Sequence, residues 1–326
     1  MTSSQNSDLT ATTSRRPKIA VLGSINMDLV VRCAKLPTPG QTISAGSFDE
    51  IPGGKGANQA VAAVRAGGEV HMIGRVGDDG FGNQLLQHLE NENVNCDGVQ
   101  VTGSSPSGVA IVAVERSGEN SIIVVPGANG QVTVDDVIRH GDLIRQSDVL
   151  MVQLETPFDA VEAAIQVAKE SGVKVILDPA PAITLPPTLL NVDVICPNES
   201  EAAILTGRSC DNIEQAKKLA ERLHELGAAI AIITMGEVGT VVHDGTQTML
   251  IESHRIEAVD TTAAGDAFAG TLAVRLAMGL SLPEAIRFAN VAGALAASVA
   301  GAQPSLPTAA QVEQIAALNA QRRTQV

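Results

Sequence analysis

From residue 149 onward the chain alternates short apolar runs with longer helical patterns, and this alternation restricts the fold more than any other feature. The spacing predicts strands over 149–153, 173–178, 192–197 and 230–234. It predicts helices over 157–171, 199–206 and 213–226. Strands so uniformly apolar are buried on both faces, and intervening helices make them parallel. The expected fold class is therefore α/β: a doubly wound, mostly parallel sheet flanked by helices. A hairpin of 239–243 and 248–252 follows, then a strand-like run at 255–259. Helical patterns cover 266–278, 282–300 and 308–321, the later two rich in alanine.

The first half is less regular. Strands are expected at 18–22 and 70–76, and helices at 58–66 and 81–91. Two strand pairs interrupt the alternation. One joins 29–32 to 41–48 through Leu36-Pro37-Thr38-Pro39-Gly40. The other joins 109–115 to 120–125 through Arg116-Ser117-Gly118-Glu119, a hairpin signal. No internal repeat is evident.

Composition narrows the function. With 326 residues, 44% hydrophobic, the chain can bury a large core. It has no Trp and no Tyr, so that core is built from Ala, Val, Leu and Ile. A net charge of −14 disfavours nucleic acid and anionic membrane surfaces as partners. Cys33, Cys96, Cys196 and Cys210 are scattered without a C-x-x-C pair, and the histidines lack metal-binding spacing. Residues 1–16 are Ser/Thr-rich without an apolar segment and read as a disordered extension. No apolar run is long enough to span a bilayer. A soluble, cytoplasmic protein with free thiols is expected.

Chemistry concentrates in Asp260-Thr261-Thr262-Ala263-Ala264-Gly265-Asp266-Ala267-Phe268-Ala269-Gly270. Small residues ending in Gly265 open a helix, where free amides and the helix dipole favour an anion. A carboxylate there, Asp266, would repel phosphate unless it acts as a general base toward an attacking hydroxyl. Read alone, Asp266 could equally cap the helix. Upstream, Gly53-Gly54-Lys55-Gly56-Ala57-Asn58-Gln59-Ala60 is neither a Walker A loop nor a dinucleotide fingerprint, which removes a nicotinamide oxidoreductase. Asn26 and Asp28 follow the first strand, where open α/β sheets bind ligands, although Asn-x-Asp is also a common turn.

These three stretches, in this order, resemble the ribokinase-like (PfkB) carbohydrate kinases, and the likeness runs from about residue 18 to 307. The resemblance implies ATP-dependent phosphorylation of a sugar, with O5 of D-ribose as acceptor. Another sugar or a nucleoside (deoxyribose, fructose, adenosine) is the alternative, and a non-catalytic sugar-responsive protein is a rival that the retained Asp266 opposes. It implies Asp266 as base, with the amides of Ala263, Ala264 and Gly265 as anion hole. Asn26, Asp28, Gly54, Lys55, Asn58 and Glu155 would bind the sugar together with Asp266. Asn198, Thr234, Gly236, Glu237, Gly239, Gly265 and Asn290 would bind the nucleotide. Asn198 and Glu201, in Pro197-Asn198-Glu199-Ser200-Glu201, would organise Mg²⁺, although alone they read as a helix cap. Asp260, Thr262, Ala296, Val299, Gly301 and Ser305 would hold a monovalent cation, K⁺. The kinase domain would span 17–321, with a β-lid inserted from about 28–50 and 107–126 that also forms a homodimer. Ala269 departs from the pattern: many relatives carry Asn there.

Overall fold

The structure is a computed structural model that describes residues 15–117 and 120–323. All but the last two residues of the expected N-terminal extension therefore lie outside the described residues, as do Gly118 and Glu119 of the second hairpin turn.

The chain opens with β1 (Lys18–Leu22), β2 (Asn26–Cys33), β3 (Ser47–Gly53), α1 (Lys55–Arg65), β4 (Glu69–Gly77), α2 (Gly80–Asn91) and β5 (Asn95–Thr102). It continues with β6 (Gly108–Glu115), β7 (Asn120–Val125), α3 (Val134–Arg139), α4 (Gly141–Arg145), β8 (Val149–Val152) and α5 (Phe158–Glu170). Next come β9 (Lys174–Leu177), α6 (Pro187–Leu190), β10 (Val194–Ile195), α7 (Glu199–Thr206), α8 (Ile213–Glu225) and β11 (Ile230–Thr234). The last elements are β12 (Gly239–His243), β13 (Thr248–Glu252), α9 (Ala264–Ala277), α10 (Leu282–Ala297) and α11 (Ala309–Arg323).

Among the described residues a nine-stranded sheet runs β13-β12-β11-β10-β9-β8-β1-β4-β5. It is parallel from β5 to β11, and β12 and β13 add an antiparallel hairpin at one edge. Side-chain alternation divides each central strand between two cores. Ile19 and Val21 of β1, with Val149 and Met151 of β8, pack toward α1, α9 and α10. Ala20 and Leu22, with Leu150 and Val152, pack toward α5 and α8. Each such buried Val, Leu, Ile or Met side chain contributes about 1.5–3 kcal/mol. On the first face small residues let helices meet closely: a Cβ on Gly270 of α9 would lie 2.7 Å from Ala62 Cβ of α1.

The two inserted strand pairs form one four-stranded sheet, β3-β2-β6-β7, with β2 and β6 parallel at its centre. The outer strand of the first pair is Ser47–Gly53, later than the expected 41–48. The register explains the shift, because β3 pairs Asn26↔Gly53 through Arg32↔Ser47 and so ends where α1 begins. β5, α3 and α4 carry no sequence expectation: β5 is a polar edge strand, and the two helices are too short to show periodicity. The expected strand at 255–259 does not form. That segment is irregular and mostly exposed, and the Val259 amide donates to Ala297 O at the end of α10. Its backbone is tied to a helix end rather than to a strand ladder, and Val259 itself is 66% exposed.

The close approach that matters most joins the turn after β1 to the start of α1. A Cβ on Gly56 would lie 2.6–2.7 Å from Gly23 and Ser24 backbone atoms. Backbone cannot yield as a flexible side chain can. Gly56→Ala should lower the unfolding free energy by about 1–3 kcal/mol through overpacking, read as a lower urea midpoint at unchanged slope.

Candidate active site

The candidate residues collect at the carboxyl ends of the parallel strands. Ser24 follows β1, Gln153 and Glu155 follow β8, Asp178 follows β9, and Glu201 lies in the first turn of α7 after β10. β1 and β8 are neighbours from which the chain departs in opposite directions, the crevice where open α/β sheets bind ligands. The N-termini of α1 and α9 bring Lys55, Asn58 and Asp266 to the same place.

Asp266, in the first turn of α9, is only 6% exposed. Its oxygens accept from Asn58 Nδ2 at 3.0 Å and Gln59 Nε2 at 3.1 Å. Burial pushes its pKa up to about 6, helped by the Asp178 charge and opposed by Lys55 and by the two amide hydrogen bonds. It is ionised at neutral pH yet has enough proton affinity to accept a hydroxyl proton. Lys55 Nζ lies 3.3 Å from Asp178 Oδ2. Burial works against its charge, but Asp178, Asp266, Glu201 and Glu155 hold its pKa above the ordinary lysine value. Glu155 accepts from Ser24 Oγ and from the Lys55 amide at 3.3 Å.

Asp28 projects from β2 into this cluster. Burial, then the charges of Glu155 and Asp266, raise its pKa to about 7. Asp28 Oδ1 and Asn58 Oδ1 are buried without a partner among the described residues. Such orphaned acceptors mark where a ligand's donors belong. Asn26 is only 3% exposed, and its Oδ1 accepts from Asn129 Nδ2 at 2.7 Å. Gly54 has φ +90°, and a Cβ there would lie 2.8 Å from the Asn26 amide nitrogen. Only glycine lets the backbone come so close to the pocket.

The mouth of α9 has no side-chain cap. Ala263 adopts φ +60°, a left-handed conformation that costs a non-glycine residue about 1–2 kcal/mol. The Ala264 amide donates to Thr261 O at 3.2 Å, and the space beside Gly265 is open. Asp260 joins this mouth to the loop after α10, accepting from Thr262 Oγ1 at 2.6 Å, Thr262 N at 2.9 Å and Gly301 N at 2.9 Å. Burial opposes its charge, but these hydrogen bonds and Arg32 hold its carboxyl below the usual range. The Ala296 carbonyl accepts from the Val299 amide, and buried Ser305 donates to Ala302 O. A cavity of about 510 Å³ separates these loops from the lid, lined among others by Asp28, Arg32, Asp260, Thr262 and Gly301.

The other expected residues lie farther along the same sheet edge, and several make hydrogen bonds within the chain. Asn198 and Glu201 form a reciprocal capping box: Asn198 Oδ1 accepts from Glu201 N at 2.9 Å, and Glu201 Oε2 from Asn198 N at 2.8 Å. Burial and Asp178 still raise the Glu201 pKa. Thr234 ends β11 and bridges to Asn198, with Gly236 and Glu237 exposed just beyond. Gly239, at φ +124°, packs against β13, where a Cβ would lie 2.3 Å from Ile251 O. Asn290 takes a packing position: its Oδ1 accepts from Thr240 Oγ1 at 2.5 Å, and its Nδ2 donates to Ile251 O at 3.1 Å. With Nδ2 also 3.4 Å from Glu252 O, its amide is committed to holding α10 against β12 and β13. Among the described residues no group of three His, Cys, Asp or Glu could hold a metal.

Residues the sequence reading passed over complete the cluster. Gln59, Gln153 and Asp178 are buried and hydrogen-bonded into it. Gln59 adjoins Asn58 in the Gly-rich stretch, and the other two close apolar strands at the ligand edge of the sheet. That strand-end position was the available signal.

A doubly wound sheet with a β-lid, and a buried acid at an uncapped helix mouth, is the architecture of a sugar-phosphorylating enzyme. The chain matches the pfkB family carbohydrate kinases over residues 16–309 and belongs to that family. It is 40% identical to ribokinase of Haemophilus influenzae, covering 90% of this chain and 96% of that relative. It is 34% identical to deoxyribokinase of Salmonella typhi, over 92% of this chain and 99% of the relative. The structure of Arabidopsis thaliana ribokinase complexed with ribose and ATP superposes with a TM-score of 0.85 at 32% identity, covering 93% of this chain and 99% of that one.

The Asp28 shift has a consequence for stability. Its folded pKa of about 7 lies above the ordinary 3.8, so the folded state binds this proton more tightly. That contribution is complete below about pH 4 and is lost as pH rises through 7. Asp28→Asn should therefore stabilise the ligand-free protein by about 1–3 kcal/mol at pH 8 and change it little at pH 4. Thermal melts at the two pH values check this.

Proposed function

We propose that the protein is an ATP-dependent ribokinase that transfers the γ-phosphoryl group of ATP to O5 of D-ribose. The observation that carries this reading is the position of Asp266. It is a buried acid with raised proton affinity, at an anion-favouring helix mouth, beside orphaned acceptors on Asp28 and Asn58. Those acceptors, with Asn26, Lys55, Glu155 and the Gly54 backbone, suit a compact polyhydroxylated ligand. Asp266 takes the proton from the attacking hydroxyl as its oxygen bonds to phosphorus and the bond to the ADP oxygen breaks. The amides of Ala263 and Gly265, and that of Ala264 once it leaves Thr261 O, stabilise the charge on the transferred group. One such donor is worth about 2.7–4 kcal/mol of barrier.

Asn198, Thr234, Gly236, Glu237, Gly239, Gly265 and Asn290 border the nucleotide in this reading. The acidic cluster of Asp28, Glu155, Asp178, Glu201 and Asp266 faces one lysine, Lys55, so a polyphosphate needs added positive charge to approach it. Glu201, with Asn198, suits Mg²⁺ held largely through waters, which would neutralise phosphate charge. The ionised Asp260 among backbone carbonyls of Thr262, Ala296, Val299, Gly301 and Ser305 suits K⁺, which would strengthen the positive potential at the mouth.

One face of the lid is apolar: by strand register it carries Phe48, Ile111, Ile123 and Val125, which are 56%, 41%, 63% and 45% exposed. A second copy of the chain covering it would form a homodimer. All four cysteines are free, which fits the cytoplasm, and among the described residues no helix is long and apolar enough to cross a membrane. A second acceptor, 2-deoxyribose, is favoured by the likeness to deoxyribokinase.

A coupled ADP-release assay over ribose, deoxyribose, fructose and adenosine tests the reading, with ribose expected to give the highest kcat/KM. Asp266→Asn should fold, bind ribose and ATP, and turn over about 10²–10⁴-fold more slowly; turnover near wild type would remove the base assignment. K⁺ should raise turnover in the parent protein, and Asp260→Ala should lose most of that activation.

A further inference from the structure

Gln59 is 1% exposed and Gln153 is fully buried, and both stand directly behind the proposed base. The Gln59 side-chain nitrogen donates to two carboxylates at once: Asp178 Oδ2 at 2.7 Å and Asp266 Oδ1 at 3.1 Å. Its oxygen accepts from Gln153 Nε2 at 2.6 Å, which fixes which end of the amide points at the acids. Asp178 Oδ2 also receives Lys55 Nζ at 3.3 Å. One –NH₂ group thus sets the separation of two acids, and a lysine anchors the acid farther from the helix mouth. We propose that Gln59 and Asp178 are positioning residues for phosphoryl transfer, a relay that fixes the Asp266 carboxylate in the orientation from which it accepts the hydroxyl proton.

The proposal rests on the sugar-kinase reading and deepens it. Both act through Asp266 and Lys55, which their side chains contact. The charged groups around Asp266 are Lys55, Asp178, Asp28 and Glu201, with Glu155 beside Lys55. Within that set the two residues pull in opposite directions. The Asp178 charge raises the proton affinity of Asp266, whereas the Gln59 hydrogen bond lowers it.

The test uses Asp178→Asn and Gln59→Met. Asparagine keeps an oxygen that can accept from both Gln59 and Lys55 and removes only the charge. Methionine keeps length and volume and removes both donors. Each variant is assayed for kcat and KM for ribose across pH, for ribose binding by calorimetry, and for thermal melting. Gln59→Met should lose about 10- to 100-fold in kcat, with KM for ribose within threefold. The acidic limb of its kcat profile should move to higher pH, and that of Asp178→Asn to lower pH. A purely structural role would move melting temperature and active fraction but leave both limbs in place. Unshifted limbs in a folded Asp178→Asn protein that binds ribose normally would overturn the proposal. Should Gln59→Met not fold, the Asp178→Asn profile decides alone. Absence of ribose-dependent ADP release in the parent protein would defeat the kinase reading instead, so the two failures are distinct.

Discussion

The structure around the candidate site depends on one shared cation. Lys55 is held by Asp178, and the charges of Asp266, Glu201 and Glu155 reach it as well. Buried charges are costly unless paired, and several carboxylates sharing one ammonium are only partly compensated. Burial first, and the surplus of neighbouring carboxylate charge second, raise the proton affinity of Asp28, Glu201 and Asp266. A site left in that condition gains from any ligand that supplies hydrogen-bond donors or positive charge. A polyhydroxylated sugar supplies the first, and a metal-bound nucleotide the second.

The scaffold reaches this arrangement by close approach. Gly23 meets Gly56 backbone to backbone, so the start of α1 sits directly on the turn after β1. Gly270 lets α9 press on Ala62 and Ala63 of α1, bringing Asp266 within hydrogen-bonding distance of Asn58 and Gln59. Bulky aromatics would hold these helices apart. The scarcity of aromatic residues and the shape of the site are thus connected: a core of small aliphatic residues allows two helix N-termini to converge on a few ångströms of space.

Much of this was legible in the residues themselves. The apolar runs of β8 and of β1 and β9 after their opening lysines announced a parallel sheet, because two-sided burial selects such runs. The small-residue loop before Asp266 announced a helix mouth. The remainder depended on contacts distant in sequence. Asp178 is unremarkable until folding sets it beside Lys55, and Gln59 reads as an ordinary helix residue until two acids meet its amide. Asn290 shows a different gap: family likeness points to the nucleotide side, and only the folded chain shows that its amide also meets Thr240 and two backbone carbonyls. The run at 255–259 misled because apolar composition cannot separate a strand from a segment laid against a helix end.

The junction between lid and body is unusually short. Gly53 ends β3, Lys55 begins α1, and Gly54 alone lies between them at φ +90°. No linker exists there to absorb a tilt of the lid. The last strand residue of the small sheet and the first turn of α1, which carries Lys55 and Asn58, are therefore separated by one backbone unit. The small sheet and the lysine that balances the acids beneath it thus share a one-residue joint.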